Sequence, residues 1–473
     1  MNKQILKLAI PSILANITVP IVGMVDVAVA GHLNGTEGLA AAAFIGAISV
    51  GTMLFDLLYW NFGFLRAGTG GMTAQALGRG DMAECANLLV RSVALALAIA
   101  LGIWLIQWPF EKGAFLLVKC SPEVKALALR YFHIRIWAAP ATLSLMCLRG
   151  WFIGMQDTVS SMATDLIVNS VNIVGSIVLA LGIGSFAGFG FPGVALGTLL
   201  AQYSGLTFAV TRLIVKYRSR VFSDFSFEKC RESFRGSELS RFMTMNKDLF
   251  YRSLCFLAVY VGFTVISARY GDLMLASSAI LMKLLMIFSF FVDGFAYAGE
   301  ALTGRYIGEK SLADTRKAIR YVFYWSGGVV LLFTAVYGLG SEPLTRIMTS
   351  DPEVLDACGK FLPWLLLMPL IGCAAFTWDG IYVGATASVS LKYSMIWASV
   401  SFFSVWIVGY LAFGLSTDGL DFTAGGNASV IADRAIHVLM AAYFAHLLAR
   451  AAVLTLRYRK DIIQRWFGEA VHN

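Results

Sequence analysis

Twelve apolar segments, each long enough to cross a hydrocarbon core, constrain this chain more than any other feature. They are read at 8–33, 39–65, 88–109, 124–149, 160–184, 191–216, 247–269, 273–303, 319–339, 354–380, 392–414 and 433–456. About 20 apolar residues in a helix span a bilayer core. Within lipid every backbone polar group must be satisfied internally, which leaves helices or a closed barrel. The runs are continuous rather than alternating, so the barrel is excluded. Charged residues make up 14% of the 473 positions and hydrophobic ones 58%, whereas a soluble domain carries about 25% charged residues. The expected fold is an all-α polytopic membrane protein with twelve transmembrane helices.

The net charge of +8 does not point to nucleic acid, because Lys and Arg cluster in the short gaps between apolar runs. Most fall in gaps on the side of the N-terminus, which predicts cytoplasmic N- and C-termini. The largest basic gap joins segments six and seven. It divides the chain into an N-lobe (1–216), a cytoplasmic linker (217–246) and a C-lobe (247–473). The seven cysteines form no CxxC pair; they read as small buried side chains, with no disulfide framework or metal site. The first apolar run lacks a small-residue cleavage pattern and is expected to be retained as a span.

The halves resemble each other. "SPEV" from Ser121 returns as "DPEV" from Asp351, "RGWFIGMQDTVS" from Arg149 as "DGIYVGATASVS" from Asp379, and "TAQALGRGD" from Thr73 as "TGRYIGEKS" from Thr303. All three pairs are 230 positions apart, a spacing that chance does not reproduce easily. An even number of spans per half gives both halves the same orientation. Two six-helix lobes related by a pseudo-twofold axis along the membrane normal are therefore expected, an architecture of transporters that alternate access. Duplication in a channel or membrane enzyme is the other source of such a repeat.

Asp26 stands within the first apolar run, "PIVGMVDVAVAGHL". A carboxylate there costs a few kcal/mol on insertion scales, and desolvation penalises its charged form. Such a group can take a proton near neutral pH and release it when hydrated. Pro20, six residues earlier, removes a backbone hydrogen bond and frees the carbonyl of Asn16, so the helix can hinge below Asp26. Asp165, Asn169, Asn172 and Ser176 lie on one face of segment five. Counted from the cytoplasmic end, Asn172 and Ser176 reach the depth of Asp26; Asp165 stays near the inner surface.

Five stretches in both halves carry a family resemblance: "IPSILANITVPIVGMVDVAVAGHL", "FGFLRAGTGGMTAQALGRGD", "LRGWFIGMQDT", "FVDGFAYAGEALTGRYIG" and "DGIYVGAT". The chain resembles the multidrug and toxic compound extrusion (MATE) transporters, in particular the DinF-like branch. The resemblance implies secondary active export of amphipathic, often cationic compounds against an inward H⁺ or Na⁺ gradient, with a central cavity between the lobes. It implies a bacterial cytoplasmic (inner) membrane, no cofactor, and small substrates and lipids as partners, with a monomer sufficient. In similar transporters an Asn, then an Asp four residues later, and a Thr of the sixth span join the first-span Asp. Asn172 and Thr198 match the Asn and the Thr, but Ser176 replaces the second Asp. That lowers the site's charge and favours H⁺ over Na⁺ without excluding Na⁺.

Asp293 and Glu300, two turns apart in segment eight, are candidates for a cation-attracting cavity together with Asn169. Pairing with Lys283, Arg66 or Arg135 is the structural alternative for these acids. Arg149 and Asp379, at equivalent ends of segments four and ten, are expected to bond loops there. A lipid-linked-precursor flippase of the same superfamily is a competing reading, disfavoured because acids outnumber bases inside the spans. An enzyme is not expected, since no HExxH, GxSxG, Cys–His cluster or P-loop lysine is present.

Overall fold

The computed structural model describes residues 1–33, 41–117, 120–219, 221–222, 228, 231, 234, 236–349, 351–417 and 427–471. Parts of the expected linker (220, 223–227, 229–230, 232–233 and 235), the start of the second expected segment and the last two residues lie outside these. The protein is an all-α polytopic membrane protein, with twelve long apolar helices among the described residues. They are α1 (Asn2–Gly31), α2 (Ala41–Gly78), α3 (Met82–Leu116), α4 (Pro122–Gly154), α5 (Thr158–Leu181), α6 (Phe191–Tyr217), α7 (Ser237–Ala268), α8 (Asp272–Gly308), α9 (Leu312–Met348), α10 (Leu362–Gly384), α11 (Ser388–Ala412) and α12 (Ala428–Gly468).

The helix ends differ from the apolar runs where caps, not hydropathy, set them. Asp81 accepts from the Glu84 N–H at 2.9 Å and starts α3 well before its apolar stretch. Ser311 does the same for Asp314 at 3.4 Å, ahead of α9. Both are side-chain N-caps satisfying an orphan helix donor. The glycine-rich "RAGTGG" stays helical inside α2, where Gly68, Gly70 and Gly71 are buried. The stretch 237–246, assigned by sequence to the linker, forms the first turns of α7. A separate helix, Pro352–Lys360, precedes α10; Asp351 caps it and Pro352 occupies its first turn.

The backbone carries the 230-residue repeat seen in the sequence. Gly150 of α4 lies against the Arg66 carbonyl of α2, and Gly380 of α10 against the Ala296 carbonyl of α8, so closely that neither site has room for a Cβ. Positive φ recurs at Gly80 (74°) and Lys310 (56°), and at Gln156 (59°) and Thr386 (51°). Lys310, Gln156 and Thr386 hold a backbone conformation that L-residues adopt rarely, which marks these turns as geometrically required in both halves.

The chain divides into two compact units, Ile10–Asn246 and Met1–Ala9 with Lys247–Asn473. The first residues of α1 thus group with the second half: Asn2 Oδ1 accepts from Trp325 Nε1 and Gln4 Oε1 from Tyr306 Oη, each at 3.2 Å.

Asp157 caps α5 from the turn that follows α4. It accepts from Ser160 Oγ at 2.6 Å, Lys216 Nζ at 2.7 Å and Tyr217 Oη at 2.9 Å. Burial opposes its charge, but these hydrogen bonds outweigh burial and hold the carboxyl below its usual range. The folded value lies under the unfolded one, so the stabilisation is full above the unfolded value, about 3.9, and is lost as pH falls through the folded one. Asp157→Asn should therefore melt at a lower temperature than the wild type at pH 7. Thermal melts should show the difference closing only below about pH 4.

Candidate functional site

The site is built where three helices of the Ile10–Asn246 unit meet. Gly175 of α5 and Gly197 of α6 face each other: a Cβ on Gly175 would stand 3.2 Å from Gly197 Cα, and one on Gly197 2.5 Å from the Ser176 nitrogen. Small residues allow two membrane helices to approach this closely. The approach carries the next residues, Ser176 and Thr198, into the same crossing. Asn172, one turn before Ser176, donates from Nδ2 to Thr198 Oγ1 at 3.0 Å. Thr198 Oγ1 donates in turn to the Val194 carbonyl at 3.3 Å.

Helix α1 supplies the carboxylate. Ser176 Oγ donates to Asp26 Oδ1 at 2.9 Å, and Asp26 is only 8% exposed. Two turns lower, Asn169 Nδ2 donates to Thr18 Oγ1 at 2.5 Å, and Thr18 donates to the Ala15 carbonyl at 2.7 Å. The polar face of α5 therefore contacts α1 above and below Pro20, which lies within the continuous helix α1. Proline leaves one carbonyl of the preceding turn without its helical donor, and the two contacts bracket that point.

Four sequence-selected residues, Asp26, Asn172, Ser176 and Thr198, are thus gathered into one buried cluster. The direct bond to Asp26 comes from Ser176; Thr198 bonds Asn172 rather than the carboxylate. Asn172 Oδ1 is buried and makes no hydrogen bond among the described residues, which leaves one acceptor open in the cluster. Asp165 does not join it. It pairs instead with Arg149 Nε of α4 at 2.6 Å.

A cation that the sequence did not connect with this site adds its field to it from α4. Arg135 of α4 donates to Tyr131 Oη at 2.8 Å and lies 4.7 Å from the centroid of the Phe55 ring. Its charge acts on Asp26 and Asp56. The Tyr131–Arg135 spacing of one turn was visible in the sequence, but not the rotation of α4 that sets this face against Phe55 of α2.

The MatE family profile matches residues 11–178 and 249–411, in both halves of the chain. The chain belongs to the MatE family. This MatE protein is 33% identical over 403 residues to DNA damage-inducible protein F of Escherichia coli (strain K12), a match covering 85% of this chain and 84% of that one. Its fold is that of a multidrug resistance MATE family transporter of the MOP superfamily, solved in an outward-facing conformation (TM-score 0.78, 17% identity, 98% and 96% of the two chains). It is also that of a variant of the Vibrio cholerae MATE transporter VcmN (TM-score 0.79, 15% identity, 98% and 97%).

In the other unit of this MatE protein, Asp293 and Glu300 both lie in α8, Asp293 half-buried and Glu300 fully buried. Lys283 forms no ion pair among the described residues, so the Asp293–Lys283 pair suggested by sequence does not form. Ten residues of helix separate them by about 15 Å. Asp379 bonds helices rather than a loop: Arg450 of α12, through Nε at 3.1 Å and a second guanidinium nitrogen, and Arg252 of α7. The Arg450 side chain is 3% exposed. Removing one partner of a buried ion pair costs about 3–5 kcal/mol, so Asp379→Asn should destabilise the protein by about 3 kcal/mol. Melting of the purified variant tests this, with Asp356→Asn, at an exposed pair with Lys360, expected to match the wild type.

Proposed function

We propose that this MatE protein is a DinF-like antiporter that exports amphipathic, cationic compounds across a bacterial inner membrane in exchange for H⁺. On this reading both termini are cytoplasmic, a monomer suffices, transport proceeds by alternating access, and the chain is a carrier rather than an enzyme. The supporting observation is the buried Asp26–Ser176 bond beside Asn172 and Thr198. It gives a carboxyl group in a membrane helix one neutral hydroxyl donor and no second acid. A buried ionisable group within a membrane span is by default a functional group, and a single carboxyl can carry a single proton.

Na⁺ is the second reading, favoured by the open Asn172 Oδ1 and the hydroxyl oxygens around it, which are hard-cation ligands. Two features weigh against it. Ser176 withholds a second negative charge, and Arg135 places a fixed positive charge within range of the same carboxylate. The discriminating experiment follows ethidium efflux in a bacterium lacking its own drug pumps. H⁺ coupling predicts collapse with a protonophore and persistence when Na⁺ is removed. Loss of efflux without Na⁺, at an intact proton gradient, would overturn the H⁺ assignment.

A further inference from the structure

Within the unit formed by Met1–Ala9 and Lys247–Asn473, a cavity of about 120 Å³ opens between α7 and α8. Its walls are Tyr260, Phe263 and Thr264 of α7 and Ser278, Met282 and Lys283 of α8, with Met286 below. The lining is apolar and aromatic apart from two aliphatic hydroxyls, the Tyr260 phenol and one ammonium. Thr264 Oγ1 spends its hydrogen on the Tyr260 carbonyl. Ser278 Oγ is bonded to Ser267 Oγ at 2.5 Å. Lys283 has no hydrogen bond and no ion pair among the described residues.

Lys283 is out of place for a topological or snorkelling lysine. It stands eleven residues after Asp272, so about 16 Å along α8, which is about half of a 30 Å hydrocarbon core. Lysines near span ends return their charge to the interface; a four-carbon stem at mid-span does not reach it. The facing stretch of α7, 253–268, contains no acid. Lys283 is exposed at the edge of an apolar cavity; its charge lacks a counter-ion from its own helix pair, and an unpaired ammonium beside apolar walls attracts one.

We propose that this cavity is a binding subsite for the oxyanion of an amphipathic organic acid, a sulfonate, carboxylate or phosphate, with Lys283 as its counter-ion. The rings of Tyr260 and Phe263 and the thioethers of Met282 and Met286 take the adjoining apolar body, since thioethers adapt to varied shapes. A void of about 150 Å³ admits a benzene ring, so this smaller cavity of about 120 Å³ takes the oxyanion headgroup and the first carbons beside it, with the rest of a larger amphiphile at its mouth. The site is opposite in sign to the acids expected to attract cations, so it extends the ligand classes beyond those of the proposed export reaction. It does not depend on that reaction, because binding requires no transport.

The test uses the full chain in phosphatidylcholine nanodiscs and two fluorescent probes of similar shape. 1-Anilinonaphthalene-8-sulfonate carries a sulfonate; N-phenyl-1-naphthylamine does not. Lys283→Met should weaken sulfonate binding by about tenfold or more, the scale of a lost charged hydrogen bond, and leave the neutral probe within about twofold. Lys283→Arg should retain the sulfonate. On the wild type alone, benzenesulfonate should displace the bound sulfonate probe and neutral benzenesulfonamide should not. Equal sulfonate affinity in wild type and Lys283→Met, or equal displacement by the two benzene compounds, would overturn the proposal. So would parallel weakening of both probes, which marks an apolar cavity only. Adding phosphatidylglycerol identifies the source: Lys283-dependent displacement assigns the oxyanion to a lipid headgroup, and its absence to a soluble amphiphile.

Discussion

Asp26→Asn should reduce ethidium efflux to the background of cells without the protein, a loss of at least about tenfold. The substitution is close to a pure removal of titration. Asparagine has the size of aspartate, and its Oδ1 can accept the Ser176 hydroxyl as Asp26 Oδ1 does at 2.9 Å. The contact between α1 and α5 is therefore kept, along with the lower contact between Asn169 and Thr18. What disappears is the ability to bind and release a proton at that position. If Asp26 carries the coupling, a folded, membrane-inserted variant that cannot couple is expected, with a melting temperature near that of the wild type. If it serves packing, the variant exports normally. Reduced efflux accompanied by reduced melting temperature would indicate a structural role instead, so both measurements are made on the same preparation.

A Cβ added at Gly150 or Gly380 should produce a large stability loss. Each glycine packs on a backbone carbonyl of the opposing helix, Arg66 in one unit and Ala296 in the other. A carbonyl held in a helix cannot rotate aside as a side chain can, so α4 must part from α2, or α10 from α8. Overpacking typically costs 1–3 kcal/mol, and a backbone clash belongs at the upper end, about 3 kcal/mol. Spread over a unit of this size, Gly150→Ala and Gly380→Ala should each lower the melting temperature by about 5–10 °C. Gly327→Ala and Gly328→Ala in α9 are the contrast. Nothing lies within 4 Å of a Cβ there, and alanine favours helix by up to about 1 kcal/mol. Those variants should melt at or above the wild-type temperature in detergent.

The twelve helices were legible because an apolar run of this length has few other fates. Their ends were less so, since caps such as Asp81 and Ser311 extend helices through polar residues that hydropathy assigns to loops. The apolar run ends before "RAGTGG", yet this stretch stays helical in α2, and the glycines of α4, Gly150 and Gly154, let α4 pack directly on its backbone carbonyls. In the candidate site, the shared face and depth of Asn172 and Ser176 placed them near Asp26 by counting residues. Ser176, not Thr198, turned out to hold the carboxylate, a distinction that depends on the Gly175–Gly197 crossing and so on tertiary packing. Arg135 was visible as a charge in a span, but its neighbours depend on helix rotation, which periodicity alone does not give for a helix buried on most of its faces. The proposed Lys283 pairing failed for a simple reason of length along α8.

The coupling claim is tested most directly in vesicles with no metabolism. The purified protein would be reconstituted into Na⁺-free liposomes containing a trapped pH-sensitive dye, and ethidium added to one side without an imposed gradient. The account predicts that ethidium movement drives protons the opposite way in the wild type and that Asp26→Asn abolishes this movement. Ethidium transport without proton movement, appearing only when Na⁺ is added, would contradict it.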